Sequence, residues 1–198
     1  MVARREVDEV PEAFARALVA LRSVTPRPEV ILEETPAPQR LAPHAVALTA
    51  DVIAAHDPDT ELGTGRLVLL HDPAGHEAWD GTFRVVTYVR AELEHEMAAD
   101  PMLPGVGWAW LIESLGAYGA AFTAASGTVT RVASESFGAI EGEASSAQIE
   151  IRASWTPTDD RFDAHVVAWC ELLCITAGLP PTTPGVITLP VRRRRPRG

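Results

Sequence analysis

Two segments of this chain alternate apolar and polar side chains with a period of two, and that pattern constrains the fold more than any other feature. Across residues 82–93, Phe83, Val85, Val89 and Leu93 fall on one side, and Arg84, Val86, Tyr88, Arg90 and Glu92 on the other. Residues 148–155 repeat it, with Ile149, Ile151, Ala153 and Trp155 against Gln148, Glu150, Arg152 and Ser154. Strands of this kind belong to an antiparallel sheet with one covered face and one open face. Three stretches with helical spacing can supply the cover. Phe14, Leu18 and Leu21 follow Pro11, a residue tolerated in a first turn. Trp108, Leu111, Ile112, Leu115 and Phe122 mark a helix over 106–121. Phe162, Val166, Trp169, Leu173 and Ala177 mark another over 159–177, stopped by Gly178.

Between these lie a short strand at 29–32 and a connection rich in Pro36, Pro38 and Pro43. An apolar stretch follows at 45–53, whose spacing fits a strand or a helix, and then a polar loop at 57–64. Residues 66–71 and 82–93 read as a hairpin joined through Asp72-Pro73 and Gly75. Ser126-Gly127 reads as the turn that closes the second helical unit, ahead of strands at 128–136 and 148–155. The expected fold is α+β: a mainly antiparallel sheet of about five to six strands with helices on one face, in the order α-ββββ-α-ββ-α. The expected organisation is an N-terminal arm (1–10), one domain (11–179) and a Pro-rich and Arg-rich tail (180–198).

Charge narrows the chemistry. The net charge is −10 and all 17 basic residues are Arg, so Schiff-base and P-loop lysines are excluded. An acidic body repels phosphate backbones, which leaves only Arg192, Arg193, Arg194, Arg195 and Arg197 for nucleic-acid contact. No apolar run approaches the roughly 20 residues that span a bilayer, and no charged-apolar leader opens the chain, so a cytoplasmic protein with no membrane contact is expected. Cys170 and Cys174 are too few for a disulfide framework. They share a helix face, where core packing is the plain reading and redox or haem chemistry the alternative. Neither a phosphate-cradling Gly-rich loop nor a G-x-S-x-G elbow occurs.

Three constellations remain. His71, Asp72 and His76 form the densest group of ligand-capable side chains, a candidate ligand or metal site set against the plain reading of a strand end and turn. Glu92, Glu94 and Glu96 place three carboxylates at period two, or else form a solvated strand end entering a helix. The third is a surface: Arg84, Tyr88, Arg90, Glu92, Glu150 and Arg152 on the open face, and Trp110, which falls about 200° around its helix from Trp108. These seven are the expected partner-binding residues. No catalytic set and no cofactor are expected.

The words RLAPHAVAL (40–48), GRLVLLHDPAGHEAWDGTFR (65–84), VRAELEHEMAADPMLPGVGWAWL (89–111), SGTVTR (126–131), QIEIRASWTP (148–157) and AWCELLC (168–174) resemble an actinobacterial family known only as domain of unknown function three thousand. The resemblance spans about residues 12–182 and implies no activity or catalytic residue. The element order is also similar to the secretion-chaperone-like fold, whose members are acidic dimers that bind other proteins. The leading expectation is therefore a non-enzymatic protein-binding or chaperone/adaptor-like module, as a homodimer. The alternatives are a small-molecule or metal-binding protein or enzyme using His71, Asp72 and His76, and an RNA-associated accessory protein acting through the Arg tail.

Overall fold

The computed structural model describes residues 10–38, 40–138 and 146–182. Among them, six strands make one antiparallel sheet: β1 (Val30–Thr35), β2 (His44–Ala54), β3 (Asp57–His76), β4 (Gly81–Leu93), β5 (Phe122–Ser134) and β6 (Ser146–Pro157). Their order across the sheet is β1-β2-β3-β4-β6-β5. After β4 the chain passes through α2 (His95–Ala99) and α3 (Leu103–Ala117), reaches the far edge as β5, and returns as β6 beside β4. With α1 (Glu12–Arg22) and α4 (Phe162–Thr176), this is the α+β architecture and element order that the alternating pattern predicts.

The two faces of each strand have separate fates. Val46, Leu48, Val52, Leu67, Leu69, Val85, Val89, Ile149, Ile151 and Trp155 turn inward and join one core with Phe14, Leu111, Leu115, Trp169 and Leu173 of the helices. Helix α4 is at the centre of that core. Nearly its whole circumference is buried, from Phe162 through Thr176, as expected of a helix enclosed by a sheet and by other helices. It lies directly on β3 at Gly65, where an added Cβ would come 2.7 Å from Leu173 Cδ2 and 3.1 Å from Trp169.

The stretch 45–53, whose spacing fits strand or helix, is strand β2. Three boundaries differ from the expectation. The polar loop expected at 57–64 is instead the first part of β3, paired with β2 from Ala54↔Asp57 through Asp51↔Thr64. Its exposed polar side chains sit on a strand because β2 leaves a run of backbone groups that only a neighbouring strand satisfies. Phe122, assigned to a helical stripe, opens β5, since α3 ends at Ala117 and Gly119 takes φ +64. Ser126 and Gly127 lie inside β5. Gly127 marks a close approach: a Cβ there would come within 2.9 Å of Trp108 on α3 and 2.4 Å of Arg152 O. The expected arm, the segment between β5 and β6 and most of the tail fall largely or wholly outside the described residues. Thr182, the last described residue, is tied to α4, its N–H donating to Glu171 Oε1 at 2.7 Å and its hydroxyl to Oε2 at 2.9 Å.

Buried histidines make stability pH-dependent. Trp155 Nε1 donates to His165 Nδ1 at 3.0 Å, which places the His165 proton on Nε2, and burial drives its pKa down to about 4. The unfolded chain therefore binds more protons than the native one between pH 6.5 and 4, so stability is full above pH 6.5 and falls as the pH drops through that window. The expected loss is about 3 kcal/mol. His71, whose pKa burial also lowers, adds in the same direction. Urea midpoints measured from pH 7 to pH 4 should fall less for His165→Gln than for the wild type; parallel curves would contradict this assignment.

Candidate functional site

Strand pairing places the outward side chains in rows across the open face. Thr49, Arg66, Tyr88, Arg152 and Thr128 form one row, and Ala47, Val68, Val86, Ser154 and Ser126 the next. Toward β2 and β3 this face is covered: Ala47, Val68 and Leu70 pack with Ala37, Ala42, Ala45 and Trp79. Arg66 helps hold that cover, its guanidinium donating to Pro36 O at 2.8 Å. Toward β4, β6 and β5 the face is open. There a depression of about 440 Å³ is lined by Arg66, Val86, Tyr88, Ser126, Arg152 and Ser154.

Beside the depression lies the most unusual side chain of the fold. Arg84 was expected on display, but only 7% of it is exposed. It donates to Ala124 O (3.0 Å), Thr156 Oγ1 (2.9 Å), Ser154 Oγ (2.7 Å) and Ser126 Oγ (3.3 Å), all of them neutral oxygens. Among the described residues no carboxylate pairs with it, and burial alone lowers its pKa. The backbone is arranged to meet it. The β5–β6 register shifts between Thr123 and Ser126, and Ala124 takes φ 49, which directs its carbonyl to the guanidinium. Thr156 accepts from Arg84 and donates in turn to Trp79 O.

The neighbouring row is a second network. Tyr88 OH donates to Glu150 Oε1 at 3.0 Å, Arg152 pairs with Glu150 Oε2 at 2.8 Å, and Arg152 lies 5.1 Å from the centre of the Tyr88 ring. Burial and the carboxylate together raise the Tyr88 pKa, so its hydroxyl stays a donor. Arg90 and Glu92 continue the same strand face as exposed side chains. Of the seven expected partner-binding residues, six therefore share one face. Trp110 does not: it is half-buried against the core and lines a groove of about 370 Å³ between α3 and α4 with Tyr118 and Ile175. Helical angle alone placed it in solvent, but α4 covers that flank.

The remaining candidates are separated. His71 is buried in the core, stacked on Phe83 and Phe14, with Nδ1 3.0 Å from Thr82 O. Asp72 accepts from Ala74 N–H in the irregular end of β3, and His76 stacks on Trp79 and accepts from Ala78 N–H. Among the described residues no group of three His, Cys, Asp or Glu is placed to hold a metal. Glu92, Glu94 and Glu96 are exposed where β4 passes into α2. Cys170 and Cys174 are free and buried, and burial pushes both thiols up to about 12, which leaves them protonated at neutral pH. Arg192, Arg193, Arg194, Arg195 and Arg197 lie outside the described residues. No helix among those described is long and apolar enough to cross a membrane.

Sequence reasoning missed Arg66 and Ser126. Arg66 leads a run of apolar residues that hides its parity, and Ser126 precedes a glycine that mimics a turn. Replacing Arg84 by Lys should cost about 1–3 kcal/mol in chemical denaturation, because an ammonium cannot reach four oxygens spread across β5 and β6 and leaves some unsatisfied. An unchanged midpoint would show that the guanidinium does not hold the β5 bulge.

No curated protein and no solved structure matches the chain. A model of the family described as "Protein of unknown function (DUF3000)" matches residues 10–187, and the chain belongs to that family.

Proposed function

We propose that this protein is a non-enzymatic binding module that takes an acidic segment of a partner protein on the open face of its sheet. The observation that carries the reading is local charge reversal. In a chain of net charge −10, the depression is lined by Arg66 and Arg152 and backed by buried Arg84, which donates to its Ser126 and Ser154; of these three, among the described residues, only Arg152 has a carboxylate partner. Complementary potential of this kind steers a partner and sets its register. Val86, 38% exposed between the charged rows, supplies apolar contact beside them. The two hydroxyls at the depression, Ser126 and Ser154, face a guanidinium in place of a general base, which favours binding over nucleophilic chemistry. The homodimer expected from the sequence is compatible with this reading where its pairing leaves this face free.

A photo-crosslinking side chain at position 86, on the open face, should yield a discrete adduct with one partner in the native cell, and the same probe at exposed Val19 on α1 should not. Arg152→Glu should abolish the adduct. No adduct at position 86, or equal adducts at both positions, would overturn the reading.

A further inference from the structure

The geometry points to an oxyanion-binding subsite in the open-face depression, where Ser126 and Ser154 donate to a side-chain carboxylate of the acidic partner segment and Arg152 flanks it. The inference rests on the binding role argued above and names the chemistry of the group bound. Arg84 has only donors, so Ser154 Oγ at 2.7 Å and Ser126 Oγ at 3.3 Å both accept from it. Their own protons must therefore point elsewhere. The two oxygens lie 3.4 Å apart, so one hydroxyl can donate to the other, which leaves at least one proton for the depression that both residues line. A guanidinium behind each hydroxyl polarises it as a donor.

Charge supplies the second observation. Arg84 is more than nine-tenths buried and surrounded by neutral acceptors, a costly arrangement that an anion two bonds of the relay away would offset. Arg152 sits over the Tyr88 ring, held by Glu150, with its side chain 58% exposed at the rim. It is free to add a second, charge-assisted contact.

The test is a titration of the full chain, followed by amide chemical shifts, with N-acetylated pentaglutamate, pentaglutamine or inorganic phosphate. Pentaglutamate should shift Ser126, Gly127 and Ser154 saturably, and pentaglutamine should not. Arg152→Gln and Ser126→Ala/Ser154→Ala should each weaken binding at least tenfold. Arg16→Gln, which removes an equal charge from the exposed flank of α1, should leave it unchanged. Should the double variant not fold, Arg152→Gln decides alone, because its side chain is largely exposed. Absence of saturation, equal weakening by Arg16→Gln, or phosphate binding as tightly as the peptide would overturn the proposal. A crosslink at position 86 without pentaglutamate binding would sink the subsite and leave the partner-binding face standing; pentaglutamate binding without a crosslink would do the reverse.

Discussion

The seating of α4 on β3 at Gly65 is the contact on which the rest of this structure depends. Because β3 presents no side chain at that position, Leu173 and Trp169 reach the sheet backbone itself. The helix then lies low enough for α1 and α3 to close over its flanks, which explains why so little of its surface is polar. Close packing of this kind tolerates no added methylene without displacement of its neighbours. Glu171, the one carboxylate buried on the helix, is satisfied by Thr182 and by Tyr118 OH, so the chain leaving α4 folds back on the helix it has just formed.

With one face committed to that core, the other face is available for chemistry, and its two halves differ. Over β2 and β3 the proline-rich connection covers an apolar patch with the help of Trp79. Over β4, β6 and β5 the sheet carries charge instead. The bulge in β5 brings the Ala124 carbonyl to Arg84 at the cost of a left-handed backbone, about 1–2 kcal/mol for a residue with a Cβ. A buried guanidinium without a counterion and a strained residue beside it are compatible observations, since strain that persists in a fold concentrates where ligands bind.

Most of the sheet was legible because a half-buried strand writes its environment into alternate residues. Phe83, Val85 and Val89 against Arg84, Tyr88 and Arg90 place the two faces of β4 correctly, and β6 behaves the same way. Residues 57–64 were not legible, since 57–61 form a strand exposed on both faces, which looks like a loop, and Gly63 supplies no side chain to mark a face. Gly127 was misread for a related reason: a glycine that admits Trp108 and a glycine that permits a turn are the same letter. Trp110 shows the limit of helical angles, which locate a side chain around its own axis but not the neighbour that covers it.

The sequence by itself determined the class of fold, the side of each alternating strand that enters the core, and the absence of lysine chemistry, because these follow from residue type and period alone. Only the tertiary structure decided that Arg84 is buried, that Ser126 and Ser154 meet it, and that Arg66 and Arg152 flank the same depression. Those relations depend on strand register, and register is set by pairing between segments distant in sequence, such as Val85 with Trp155. A shift of one residue would move every such side chain to the opposite face.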